Sequence, residues 1–175
     1  MRPSNVSLSA AGNSAWVPVD YVQAPFGVAI GCAISSGASL TYAVQHTFDD
    51  PFTSHTVAIT QAVTTATVTD TAHGLSVGDS VTISNSGSTK LDGVWDVATV
   101  VGANSYTYTT TVTGSDVGGQ FTQAIYMRTY THATLTGQVA RADGNYAFPI
   151  RACRLRNTTY VSGTSTMTVN QGISG

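Results

Sequence analysis

Charged residues are scarce in this chain. They make up 9% of its 175 residues, whereas soluble domains carry about a quarter. Glutamate is absent, and Lys90 is the single lysine. Without a run of Lys or Arg, the chain lacks the basic footprint that binds phosphates, so we expect no nucleic-acid partner. So little charge is typical of proteins that pack against neighbours, although an ordinary β-domain with a neutral surface remains an alternative.

Long apolar segments are also missing. The longest apolar stretch, residues 26–34, is interrupted by Gly27 and Gly31. It is far shorter than the roughly 20 residues that a membrane helix needs, so we expect no membrane partner. The first residues lack the charged and apolar regions of a signal peptide, which predicts assembly in the cytoplasm.

Cysteine is limited to Cys32 and Cys153. Both fall in segments with the pattern of strands. Synthesis in a reducing cytosol favours two buried free thiols. A disulfide between them stays open, because the sequence does not define their separation.

Catalytic motifs are missing as well. The chain contains no His-Glu-x-x-His, Cys-x-x-Cys, Gly-x-Ser-x-Gly or phosphate loop. Without glutamate, glycoside hydrolysis would need two aspartates. Asp49 and Asp50 are neighbours, and adjacent side chains of an extended segment point to opposite faces. We therefore predict that the protein is not an enzyme and uses no cofactor.

One group of side chains resembles a metal site. His46, Asp49, Asp50 and His55 offer four ligands within ten residues. The alternative is stronger, because His46 falls on the inner face of a predicted strand and Asp49-Asp50-Pro51 is ordinary turn chemistry. We predict no metal.

The residues that are abundant favour strands. Threonine is the commonest, and Thr, Val and Tyr suit a pleated, half-buried surface. Apolar and polar residues alternate in several segments, most clearly over residues 40–48, and no segment predicts a helix. The composition and patterning predict an all-β protein.

The stretch from His73 to Val101 combines glycine turns with alternating strands. Gly74 and Gly78 can take positive φ, Asp79 can accept bonds from turn amides, and His73 can cap the loop. This stretch resembles a small β-module of phage tail and other virion proteins, and more distantly of ubiquitin-activating enzymes. Its residues predict a fold rather than a reaction.

Two flanking regions resemble the two ends of small bacteriophage virion proteins. The first carries Trp16-x-Pro18-x-Asp20 and a strand that ends in Phe48-Asp49-Asp50-Pro51, and the second runs from Pro149 to Gln171. The resemblance implies a jelly-roll-like antiparallel β-sandwich with a small β-barrel-like domain inserted in one loop. The expected parts are an N-terminal arm at 1–14, a host sandwich at 15–59 and 123–175, and an inserted domain at 60–122.

The same resemblance implies a structural role in a bacteriophage particle, assembled in the cytoplasm of the host bacterium. A capsid decoration or cement protein is favoured, with the major capsid protein or other virion proteins as partners and self-association as a trimer or dimer. A tail adaptor, baseplate or fibre-base protein is the first alternative. A carbohydrate-binding receptor module is the second, and it would need exposed aromatics among Trp95, Tyr106, Tyr108 and Tyr126.

Four residues are candidates for a protein interface. Trp16 follows the predicted arm and could dock it on another subunit. Arg151, Arg154 and Arg156 lie in an alternating strand and could bind a partner's carboxylates. Alternation places Arg154 and Arg156 on one face and Arg151 on the other. A core position for Trp16, and a solvated arginine face with one internal salt bridge, are the alternatives.

Overall fold

The computed structural model describes residues 3–172 and confirms the all-β class, with 57% strand. No helix occurs within this range, and so none of these residues belongs to a helix that could cross a membrane. The strands are β1 (Ser4–Leu8), β2 (Gly12–Asn13), β3 (Val17–Pro18), β4 (Val28–Ile34), β5 (Ser39–Thr47), β6 (Ser54–Thr56), β7 (Ala58–Thr69), β8 (Ser80–Ser84), β9 (Gly93–Gly102), β10 (Ser105–Gly114), β11 (Gln123–Met127), β12 (Tyr130–Thr131), β13 (Ala142–Tyr146), β14 (Ala152–Ser162) and β15 (Ser165–Gln171).

The chain forms two compact units. Unit one joins the described residues up to Phe48 with those from Tyr130 onward, and unit two spans Asp49–Thr129. The expected borders, with host halves at 15–59 and 123–175 and an insert at 60–122, therefore differ from those of the structure. The reason is that β11 pairs with β6 and β8, while its Ala124 and Tyr126 pack in the core of unit two.

Unit one is an antiparallel β-sandwich. One sheet has the order β1-β15-β4-β13, the other has the order β12-β5-β14-β2, and β3 pairs with β14. Along β4, Val28, Ile30 and Cys32 are buried and alternate with exposed residues. They meet residues such as Val44 and Leu155 of the second sheet in one hydrophobic core.

The predicted N-terminal arm at 1–14 belongs largely to this sandwich. Strand β1 pairs with β15, from Ser4 opposite Val169 to Leu8 opposite Ser165. Val6 and Leu8 pack against the core. In the sequence, small polar residues flank Val6 and Leu8, so the hydrophobic pattern of this strand is weak. Met1 and Arg2 lie outside the described residues.

Residues 146–155 have the sequence pattern of one strand, but the structure divides them. Tyr146 ends β13, which pairs with β4, whereas β14 begins at Ala152 and pairs with β5. Pro149 stands between them and has no N–H to donate to a ladder. Gly163 marks a hairpin turn in the sequence, and it lies between β14 and β15 with a φ of +97° and no room for a Cβ against Ala38.

Both cysteines are free and buried, as predicted. Burial raises the pKa of the Cys32 thiol to about 11 and that of the Cys153 thiol to about 12. The thiolate is the reactive form of cysteine, so both side chains act as small apolar members of the core.

Unit two is one six-stranded antiparallel sheet with the order β6-β11-β8-β9-β10-β7. It is curled into a half-barrel. The two ends of this order, β6 and β7, follow one another in the chain and flank the buried Val57. The inner side chains include Ile59, Val81, Ile83 and Leu91.

Candidate functional site

Arg154, an expected interface residue, lies inside unit one. Its exposed fraction is 0%, so it cannot reach the carboxylate of a partner. Its Nε donates to Oε1 of Gln45 over 2.9 Å. Its guanidinium also stacks on the ring of Trp16, with 4.6 Å from Cζ to the centroid. The prediction of an interface role for Arg154 is wrong, because Trp16 and Gln45 cover the outer face of the sheet at this point.

The other three candidates remain at least partly accessible. Trp16 is half-buried, and its ring lies against the guanidinium of Arg154. Arg151 is half-buried and lies 3.9 Å from the ring centroid of Tyr21, a cation–π distance. Arg156 is half-buried on β14. The structure therefore does not assemble the four residues into one exposed surface.

The aspartates considered as metal ligands serve turns and ion pairs. Asp50 accepts the N–H of Phe52 at 3.0 Å and the hydroxyl of Thr53 at 3.2 Å. Asp49 accepts the N–H of Arg128 at 2.7 Å and pairs with its guanidinium at 3.3 Å. Within residues 3–172, no three His, Cys or Asp side chains gather as a metal would require.

The turn that begins at His73 has the predicted architecture. Gly74 and Gly78 take φ values of +63° and +90°. Oδ2 of Asp79 accepts the N–H of Ser76 at 2.7 Å. Nδ1 of His73 accepts the N–H of Leu75 at 3.0 Å. These contacts confirm that the motif shapes the backbone.

The aromatic residues considered for sugar binding are mostly enclosed. Tyr106 and Tyr108 have exposed fractions of 0%, and Tyr126 has 8%. Trp95 is half-buried, stacks on Tyr108 with centroids 5.3 Å apart, and donates its indole N–H to the carbonyl of Leu91. Their rings form the core of unit two instead of a sugar-stacking groove.

A different set of aromatic side chains is exposed on unit one. Phe48, Tyr130 and Phe148 each have an exposed fraction of 47%, and we call these three residues the aromatic patch. The ring centroid of Phe48 lies 5.2 Å from that of Tyr130 and 6.1 Å from that of Phe148. Neighbouring aromatic rings that remain half exposed to water are typical of contact surfaces.

The aromatic patch rests on His46. This side chain is only 7% exposed, and its ring centroid lies 5.3 Å from Phe48, 5.6 Å from Tyr130 and 5.8 Å from Phe148. Its Nδ1 lies 3.1 Å from the hydroxyl of Tyr146. Burial, and secondarily the charge of His132, lower the pKa of His46 from 6.5 to about 4.

Unit one also has a shallow cavity of about 410 Å³, and some of its lining residues directly precede Phe148 in the sequence. It is lined by Phe26 and Tyr146 together with Ala147, which directly precedes Phe148 of the aromatic patch. The ring of Tyr146 also lies 5.6 Å from that of Phe148. Tyr146 is therefore shared by the cavity lining and the contacts of Phe148.

Sequence reasoning did not single out the aromatic patch. Alternation placed Phe48 on the inner face of its strand, but the core ends before this residue. A usable signal was present, because Phe148 directly precedes Pro149 and Phe48 precedes Pro51 by three positions. Aromatic side chains at strand ends have no further strand to cover them.

Comparisons with known proteins give a partial likeness to a phage protein. No protein-family model matches the chain, and no curated protein matches it. Among solved structures, the chain is similar to the endosialidase of phage phi92, with 34% identity and a TM-score of 0.39. The match covers 43% of this chain and 12% of that one. At this TM-score the likeness defines neither the fold nor the activity of the chain.

Proposed function

We propose that this chain is a structural component of a bacteriophage particle, namely a capsid decoration protein that stabilises the head by binding other virion proteins. The observation that carries the proposal is the aromatic patch of Phe48, Tyr130 and Phe148. Aromatic side chains dominate the binding energy of many protein interfaces. The sequence resemblance to small virion proteins and the scarcity of charge support the same role.

The proposed mechanism is binding without chemistry. A decoration protein acts as a small oligomer, and the symmetry of the shell repeats each contact many times. Linked contacts raise the overall strength of attachment well above that of one site. A few exposed rings per subunit are then enough to hold the protein on the shell and to stabilise it.

Changing the aromatic patch tests this proposal. We expect the double variant Phe48→Ser and Phe148→Ser to bind particles that lack this protein about 10- to 100-fold more weakly than the wild type, because each lost ring costs about 1 kcal/mol or more. Bound protein is measured by sedimentation of the particles over a range of added protein. Circular dichroism checks that the variant is folded.

Phe121→Ser provides the matched control, since this phenylalanine of unit two is 73% exposed and lies outside the aromatic patch. It should bind like the wild type. If the wild type and a folded double variant occupied the particles equally at every concentration, the aromatic patch would not contribute to docking.

A further inference from the structure

His46 is the common support of the aromatic patch. All three exposed rings pack on its imidazole at 5.3 to 5.8 Å between centroids, and the buried Tyr146 approaches it from β13 at 4.9 Å. Strand β12 holds Tyr130 directly opposite His46 in the ladder. Any change in the charge of this one ring therefore acts on every member of the patch.

The surroundings suit only a neutral imidazole. In that form Nδ1 can accept the hydroxyl proton of Tyr146, which is 3.1 Å away and 1% exposed. A protonated ring carries hydrogen on both nitrogens and accepts nothing. The hydroxyl proton of Tyr146 would then need another acceptor, and a buried charge would lie among aromatic rings.

Titratable groups reach His46 from each element packed on it. Tyr130 comes from β12, Tyr146 from β13, and Cys153 lies opposite on β14. Burial raises the pKa of Tyr146 and of Cys153, so neither supplies a negative charge that would hold an imidazolium. The fourth group, His132, contacts Tyr146 with 4.8 Å between ring centroids and disfavours a charged His46.

We infer that the docking surface is gated by pH: neutral His46 holds the aromatic patch together, and protonated His46 opens it. This gate regulates the site of the proposed function and rests on that function for its docking consequence. The opening itself is a property of the isolated chain.

The direction and range of the effect follow from linkage. The folded pKa of His46 is about 4 and its ordinary value is 6.5, so an opened form takes up the proton first as the pH falls. The closed form is fully stable above pH 6.5 and loses stability between pH 6.5 and 4. At pH 4.5 the ratio of open to closed molecules should exceed its neutral value by up to about 75-fold.

Hydrogen exchange of the isolated protein tests the gate. Amide protection factors in residues 130–146 should fall by up to about 75-fold between pH 7.5 and 4.5 in the wild type. In His46→Phe, which cannot titrate, they should not change with pH. His55→Gln in unit two replaces a half-exposed histidine and should retain the wild-type response.

A pH response that persists in His46→Phe would assign it to another group, such as His132, and overturn the inference. If His46→Phe does not fold, NMR titration of the wild type decides. A His46 midpoint near 4 with parallel shifts of the Phe48 and Phe148 rings supports the gate. A midpoint near 6.5, or unmoved rings, contradicts it.

Particle binding separates this gate from the proposed function. Wild-type protein should bind particles more weakly at pH 4.5 than at pH 7.5, whereas His46→Phe should bind equally at both. A pH response in exchange without any particle binding would refute the proposed function and leave the gate intact. Particle binding that is equal at both pH values, with unchanged exchange, would refute the gate alone.

Discussion

Replacing Arg154 by alanine should lower the free energy of unfolding by about 3 kcal/mol. The side chain is fully buried, so its removal leaves a cavity beneath Trp16 and takes the donor from Oε1 of Gln45. Large-to-small changes in a core cost about 2 to 5 kcal/mol, and an unsatisfied buried acceptor adds to this. Urea denaturation followed by circular dichroism measures the difference.

Two matched variants separate the cost of the cavity from the cost of the lost polar contacts. Arg154→Met retains most of the volume but loses the guanidinium, with its hydrogen bond to Gln45 and its contact with Trp16, so its cost should be about 1 to 2 kcal/mol. Arg156→Ala, on the same strand but half-buried, should change stability by less than about 1 kcal/mol. A fully stable Arg154→Ala protein that fails only in assembly would restore the interface role and contradict the buried one.

Removing unit two should leave unit one folded. Replacing Asp49–Thr129 by Gly-Asn-Gly joins β5 to β12, which are already paired with Tyr130 opposite His46. The rings of Phe48 and Tyr130, at the two cut ends, lie 5.2 Å apart, so a short hairpin loop spans the gap. We expect a single cooperative thermal transition with a β-type circular dichroism spectrum.

Deleting residues 60–122 provides the comparison. This shorter deletion follows the borders expected from sequence and leaves β6 and β11 without β8. It would expose Val57, Ala124 and Tyr126, which are buried in the core of unit two. We expect this protein to aggregate or to melt at a lower temperature. An unfolded product of the Asp49–Thr129 deletion would show that unit one depends on unit two.

Local backbone features could be predicted from the sequence. The alternation in β4 and β5 identifies Ile30, Tyr42 and Val44 as core residues, because the period of two follows from strand geometry alone. Positive φ at Gly74 and Gly78 is equally local, since few other residues tolerate it.

Features that depend on distant segments could not be predicted. An arginine in an alternating strand suggests a solvated face, whereas contacts with Gln45 and Trp16, both distant in sequence, lie over Arg154. The expected borders of the host and the insert differ from those of the two units for a similar reason. Strands β6 and β11 are only three and five residues long, so periodicity does not tell which sheet they join.

The aromatic patch depends both on a local strand pattern and on contacts between distant segments. Phe48 follows the alternation of β5 and yet lies beyond the end of the core. Its neighbours Tyr130 and Phe148 come from distant positions and meet it only through the pairing of β12 with β5 and the connection that precedes β14. The patch is therefore a property of the tertiary fold.

Counting copies of this protein in purified phage particles tests the decoration role most directly. Quantitative mass spectrometry against labelled peptides gives its ratio to the major capsid protein. A decoration protein follows the symmetry of the shell, so hundreds of copies per particle in a fixed ratio to the capsid subunit are expected. A dozen copies or fewer would contradict decoration and indicate a tail component, and complete absence from particles would contradict a virion role.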